Sequence, residues 1–505
     1  MKLTFYPWEI SVEVSEGMTV LEAERCAGLK PDSPCGGHGS CGKCQVTVDG
    51  KQVLACQTPA ADGMRIYAEK QAEAVILPEG RTLSGVTTLQ RNIHTVVESP
   101  RYLMAIDIGT TTLACQLLDG NNGEAMISEG LLNPQCSYGG DVVARIQAAS
   151  RGMQEEMMFS VREGLSALIQ EVCTKAGLGP EQVDVVSVVG NTCMQQLFMG
   201  ISTRNLTVPP FIPELKSTGL LEASGYLPPL KKAKMLVIPD IAGYLGADTI
   251  AGVIAAGIHK KQELTLLVDI GTNGEMVLGN REKMIACATA AGPALEGAKI
   301  SCGMRGAKGA IDHVWTENGR ITYSVLGGGK AVGICGSGLI DLLAVLKKEK
   351  LIDRRGKLAL SGQRPEYSQY LKSEGRGPKV VLAPDVSVSQ DDIRELQLAK
   401  GAIAAGIELM MKECAVQAED IREVYLAGAF GSFISKESAC EIGLLPQSLL
   451  DKIKVAGNTA ITGAAMIACD RELFKLTEKL SSEISSLELA VLPEFSKSFS
   501  KNMYF

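Results

Sequence analysis

Two stretches of the chain, AIDIGTTTLA at Ala105–Ala114 and VDIGTNGEMV at Val268–Val277, say nearly the same thing. Each is an apolar strand that ends in an acidic residue and passes through a Gly-Thr turn into a second strand. That pattern predicts a β-hairpin able to hold phosphate. Glycine at the bend, Gly109 or Gly271, lets backbone N–H groups approach an anion, and threonine hydroxyls add donors. A carboxylate at the strand end, Asp107 or Asp269, can hold the water shell of Mg²⁺. A single Asp-Ile-Gly-Thr would equally fit an ordinary tight hairpin. The second copy favours a duplicated fold in which two facing hairpins close on one nucleotide.

At 505 residues the chain exceeds one core, and length alone suggests about three domains. A net charge of −7 and a pI near 5.5 argue against nonspecific binding to nucleic acid or anionic membrane, because a negative surface is repelled by both. The first residues, MKLTFYPWEISVEV, alternate like a strand instead of forming a signal peptide, and no apolar run reaches membrane-spanning length. A cytoplasmic protein is expected. Its 15 cysteines are then free thiols or metal ligands in preference to disulfides.

Near the start, two short strands surround Pro7-Trp8, and Thr19 with Glu22 forms a capping box for a helix through Cys26, a residue expected in the core. The next stretch, PCGGHGSCGKCQVTVDGKQVLAC, places Cys35, Cys41 and Cys44 in a glycine-rich loop, with Cys56 after a hairpin turned at Asp49-Gly50. The spacing is C-x5-C-x2-C-x11-C. Four thiols so arranged suit a [2Fe-2S] cluster, since glycines let N–H groups point at the sulfides. A structural zinc site, which usually pairs two C-x2-C knuckles, and reduced cysteines are the alternatives. The pattern resembles the [2Fe-2S] ferredoxins with the adrenodoxin-like x5 gap, which implies a β-grasp domain over residues 1–75. Cys56 follows Cys44 more closely than in that family. Residues 76–100 read as a linker.

Beyond the first hairpin, Asp141 opens a helix, either as its cap or as a metal-site acid, and a valine-rich strand at Val183–Val189 leads to Asn191 and Thr192. Gly243–Gly257 and Gly457–Ala468 are small-residue helices able to pack closely on each other. Between them VYLAGAFGSF, Val424–Phe433, ends in glycines; at Gly428 and Gly431 a purine can lie against bare backbone. Hairpin, small helix, hairpin, strand with glycines, small helix: this order resembles the actin, Hsp70 and sugar-kinase (ASKHA) superfamily. The resemblance implies an α/β ATPase over residues 101–505 with two ribonuclease-H-like halves, the second beginning near residue 260. It further implies that Asp107 and Asp269 order Mg²⁺ and its waters as catalytic residues. Gly109, Thr110, Thr111 and Thr112, with Gly271, Thr272, Asn273 and Gly274, would cradle the phosphates of ATP, and Gly428 with Ala429 would contact adenosine.

Three further stretches lie outside the general kinase pattern. Ala286–Ile311 is rich in Gly and Ala, holds Glu296 and Arg305, and is a candidate docking surface; Gly333–Leu346 is a glycine turn into a helix; 354–377 reads as an exposed insertion. Cys287, Cys302 and Cys335 in the first two read as small hydrophobes. VDIGTNGE, TAAGPALEG, GICGSGLID, LAGAFG and the closing PEFSKSFSKNMYF resemble the reductive activators of corrinoid proteins. That resemblance implies ATP-driven transfer of an electron from the cluster to Co(II) corrinoid, giving Co(I) for methyl transfer in anaerobic metabolism. The implied partners are a corrinoid protein of a methyltransferase system and a low-potential electron donor, and a homodimer stays open. ATP is needed because a plant-type cluster near about −400 mV is not reducing enough alone. Longer members carry an extra domain where this chain has only its linker. The rivals are a small-molecule kinase with a fused redox-sensing ferredoxin domain, and a noncatalytic scaffold that binds ATP and reports cluster state.

Overall fold

The computed structural model describes residues 1–29, 31, 37, 39, 44–68, 93–297, 299–374, 377–428 and 431–505. In the N-terminal unit five strands pair in the order Ile10–Glu13, Lys2–Tyr6, Arg65–Ala68, Gln45–Val48, Lys51–Leu54. Alternation puts Leu3, Phe5, Val46, Val48 and Ile66 on one buried face, against Val20, Leu21 and Ala23 of the helix Val20–Cys26. That helix starts in a complete capping box: the Glu22 carboxylate accepts from the Thr19 N–H at 2.6 Å, and the Thr19 hydroxyl accepts from the Glu22 N–H at 3.3 Å. Cys26 is exposed instead of buried, because the last turn carries it off the apolar face.

After residue 101 two six-stranded sheets repeat one plan. In the first, Tyr102–Ile108, Thr112–Asp119 and Ala125–Leu132 run antiparallel, and Val183–Gly190 then Lys234–Val237 extend the sheet parallel to the first strand. In the second, Thr265–Ile270, Gly274–Gly279 and Met284–Thr289 run antiparallel, and Glu423–Ala427 then Ile453–Gly457 extend it in parallel. Strands buried on both faces explain runs such as VVSVV, where apolar side chains do not alternate. This is the duplicated ribonuclease-H-like architecture, and it sets both Asp-Gly-Thr turns at corresponding strand ends. The run at 354–377 is not a simple exposed insertion: Leu358, Tyr367 and Leu371 are buried against the second half.

The helices Ala247–Ala256 and Thr459–Cys469 cross between the two sheets. A Cβ at Gly463 would lie 2.0 Å from the Ala251 carbonyl oxygen, so only glycine permits this approach. Part of the expected linker is seated here as well. The His94 N–H donates to the Cys469 carbonyl at 3.1 Å, Arg471 N–H donates to the His94 carbonyl at 2.6 Å, and Ile93, Val96 and Val97 pack on the core beneath. Residues 76–92 lie outside the described residues. Among the described residues no helix is long and apolar enough to cross a membrane.

Candidate active site

Register decides what faces the space between the halves. The first hairpin closes where Gly109 N–H donates to the Thr112 carbonyl at 3.0 Å, and a Cβ on Gly109 would sit 2.6 Å from that oxygen. The second turn is tighter: Gly271 N–H donates to the Asn273 carbonyl at 2.9 Å. Asp107, Gly109, Thr110, Thr111 and Thr112 line a cavity of about 220 Å³ from one side; Asp269, Gly271, Thr272, Asn273 and Glu275 line it from the other. Asp248, Thr249, Glu296, Arg305, Asp312, Gly428 and Asn458 complete the wall. Gly274 begins the strand behind the second turn and does not line the cavity. Ala429 lies outside the described residues.

The acids at the floor repel one another and are largely removed from water. Burial raises Asp107 to about 7, moderated by the Asn458 amide that donates to it at 3.0 Å and reinforced by Asp248. Burial likewise raises Asp269 to about 7, with Asp248 and Asp107 adding to the shift. Glu275 stands directly opposite Asp269 across the hairpin, and burial, with Asp248 and Asp269 nearby, holds it well above the usual carboxylate range. A proton or a divalent cation would relieve this mutual repulsion, although among the described residues no three acidic, His or Cys side chains are grouped closely enough to hold a metal ion as they stand. A cation bound there would neutralise phosphate charge, and Asp107 and Asp269, which line the cavity from the two strand ends, are the carboxylates that would face it.

Two sequence expectations gain detail. Asp141 caps the helix Val142–Ala148, accepting from Ala144 N–H at 2.8 Å, and does not line the cavity. Gly428, at φ +96°, is needed by the protein itself: a Cβ there would lie 2.4 Å from the Ile270 carbonyl oxygen and 2.7 Å from Asp269 Oδ1. Asn191 does reach the site, donating to the Thr110 hydroxyl at 3.0 Å, whereas Thr192 is buried against the Ala242 carbonyl. Part of the stretch read as a docking surface faces the cavity through Glu296, Arg305 and Gly306, while Lys299, Ser301 and Lys308 are exposed. Cys287 is buried, and Cys335 is buried on the cavity wall.

Sequence reading missed Arg145. Its fully buried guanidinium donates to the carbonyls of Thr110 and Gly139 and to Gln135 Oε1, all neutral acceptors, and pairs with no carboxylate among the described residues. A cation so placed fixes the Thr110 backbone and leaves positive charge behind the first hairpin, where an anion would bind. The signal was available, since Arg145 shares the helix face of buried Val142 and Ile146.

In the N-terminal unit Cys44 and Cys56 are both buried, and Ala55, next to Cys56 in the chain, donates its N–H to the Cys44 carbonyl at 2.7 Å. Gln57 donates toward the Cys56 sulfur at 3.6 Å and to the Gly37 carbonyl at 3.2 Å. Gly37 and Gly39 both have positive φ, and a Cβ at Gly37 would press on Leu21 at 3.4 Å. Two buried cysteines outside any disulfide, one of them within reach of Gly37, suit the cluster's chemistry; when bound it would supply a one-electron carrier. Cys35 and Cys41 lie outside the described residues.

Comparison with known proteins follows the same division. Residues 5–62 match the 2Fe-2S iron-sulfur cluster binding domain, 102–261 the RACo middle region, and 263–505 the C-terminal domain of RACo, the ASKHA domain. The corrinoid activation enzyme RamQ of Eubacterium limosum is 31% identical over 590 aligned positions, covering 100% of this chain and 99% of that protein. The [Co(II) methylated amine-specific corrinoid protein] reductase of Methanosarcina barkeri is 26% identical, covering 76% of this chain and 73% of that protein. A solved reductive activator for corrinoid, iron-sulfur protein superposes with a TM-score of 0.74 at 28% identity, covering 100% of this chain and 98% of that one. An iron-sulfur ferredoxin unit joined to a duplicated ATPase fold, matched from end to end, places the chain in the family of reductive activators of corrinoid proteins.

Proposed function

We propose that the chain hydrolyses Mg-ATP between its two halves and uses that reaction to drive an electron from a [2Fe-2S] cluster onto Co(II) of a corrinoid protein, giving Co(I). Cys35, Cys41, Cys44 and Cys56 hold the cluster in this reading. Asp107 and Asp269 order the metal's waters, and the turns at Gly109–Thr112 and Gly271–Gly274 take the phosphates. The observation that carries it is the presence in one chain of two buried cysteines, Cys44 and Cys56, in the unit matched as a 2Fe-2S domain, and a cavity lined by the turns of two opposed hairpins. Energy passes between those sites only if the corrinoid partner binds one nucleotide state better than the other. ATP turnover therefore rises when a Co(II) corrinoid protein is bound and falls once cobalt is Co(I).

The visible spectrum of candidate Co(II) corrinoid proteins, followed with this protein, a low-potential reductant and ATP, tests the reading. Co(I) should accumulate only when ATP is present. ATP turnover indifferent to every corrinoid protein, together with transfer of the γ-phosphate to a metabolite, would assign the chain to the kinases.

A further inference from the structure

Glu296 joins the two hairpins. Its Oε2 accepts from the Thr111 hydroxyl at 2.6 Å, its Oε1 accepts from the Thr272 hydroxyl at 2.5 Å, and those hydroxyl oxygens are 2.9 Å apart. The carboxylate is buried, at 7% exposure, and stands at the end of the short turn Pro293–Glu296. That turn is stiff: Gly297 follows it at φ +75°, where a Cβ would lie 2.5 Å from the Met304 carbonyl oxygen. Five other carboxylates line the cavity, and each is engaged differently. Asp107 accepts from Asn458, Asp269 meets Thr459, Asp248 accepts from Thr249, Glu275 meets Asn273, and Asp312 accepts from Ser324. Among the described residues only Glu296 bonds to both hairpins.

An anion held by one hydroxyl from each phosphate hairpin occupies the place suited to the outermost phosphate of a nucleotide. A phosphate entering there takes the same two donors, and two anions cannot share them. The carboxylate gives way, and the short turn Pro293–Glu296 that carries it keeps it beside the phosphate. We infer that Glu296 is the general base of hydrolysis, a role that rests on the ATPase reading above. In the reaction the oxygen of a water forms a bond to the γ-phosphorus while the bond from that phosphorus to the β,γ-bridging oxygen breaks. The bridging oxygen keeps the electron pair and leaves on ADP, and one water proton passes to a Glu296 carboxylate oxygen, from which it is released to solvent. Glu296 then acts where γ-phosphate is present and touches ADP little.

The test separates kcat from binding. Glu296→Gln keeps the shape and removes the base, and Glu296→Ala removes both. Each should lower kcat for phosphate release by about 10²-fold or more. ATP affinity, measured by calorimetry, should hold or tighten because a competing anion is gone, and ADP affinity should not change. Glu296→Asp should recover part of kcat. If Glu296→Gln binds ATP and hydrolyses it at the parent rate, the base is elsewhere and the ATPase reading stands. Equal loss of ADP and ATP affinity in both variants would make Glu296 a structural brace and overturn the inference. A parent protein that neither binds nor hydrolyses ATP would remove the functional reading itself, and this inference with it.

Discussion

Replacing Gly463 by alanine tests how closely the two connecting helices must approach. The added Cβ would lie 2.0 Å from the Ala251 carbonyl oxygen, 2.4 Å from its carbon and 2.6 Å from its Cα, all of them helix backbone. Ordinary contact begins at 3.4 Å, so the helices would have to part by about 1.4 Å. Overpacking typically costs about 1–3 kcal/mol, and rigid backbone on the receiving side puts this case at the upper end. The better helix propensity of alanine returns at most about 1 kcal/mol. Gly252→Ala is the matched control on the facing helix, because its Cβ would meet only side-chain ends, Leu267 Cδ2 at 3.0 Å and Thr459 Oγ1 at 3.4 Å. Urea unfolding should show a clear loss of midpoint for Gly463→Ala and a change within about 0.5 kcal/mol for Gly252→Ala. Because Asn458 and Thr459, at the start of the same helix, touch Asp107 and Asp269, ATP hydrolysis should fall with the first variant and persist in the second. Equal stability of Gly463→Ala and its parent would refute the argument that backbone contact sets the helix spacing.

Cys41→Ser and Cys56→Ser should each abolish the [2Fe-2S] spectrum and cobalt reduction while ATP binding survives; a normal cluster EPR signal from either variant would remove that cysteine from the ligand set. Asp269→Asn should slow ATP hydrolysis about 10²-fold or more with the cluster intact, and parent-rate hydrolysis would free the second hairpin of that role. Asp107 and Asp269 each rise from 3.8 to about 7 on folding, so the folded chain binds more protons than the unfolded one between those values. Their contribution to stability is complete below about pH 4 and is lost as pH rises through about 7; urea midpoints measured without nucleotide should decline across that window. Mg-nucleotide binding needs both ionised, so it should tighten from pH 6 to 8 with proton release, visible in calorimetry as a dependence on buffer ionisation heat.

The duplication was legible because DIGT recurs and each copy needs only local chemistry: a strand, an acid, a glycine turn. The small-residue helices were legible for the same reason, since Gly and Ala runs have few other uses in a buried helix. What sequence could not show was which distant groups converge. Thr111 and Glu296 are far apart in the chain, and nothing in TAAGPALEG points its glutamate at a threonine of the first hairpin. Gly428 was read for a purine and does line the cavity, but sequence could not show that its missing side chain also makes room for Ile270 and Asp269, neighbours supplied by parallel strand pairing. The approach of Glu296, Arg305 and Gly306 to the cavity likewise depends on packing: a Cβ at Gly303 would lie 2.0 Å from the Gly297 carbonyl, and flat composition says nothing of that.

The seating of His94 against Cys469 and Arg471 has a mechanical consequence. A strap made fast far out on either half would be dragged through an arc whenever the halves rotate about the connecting helices. Fastened at the end of one of those helices, it is held near the pivot, where rotation displaces a point least. Residues 93–97, which carry that anchorage, would therefore keep their place while the nucleotide cavity opens or closes.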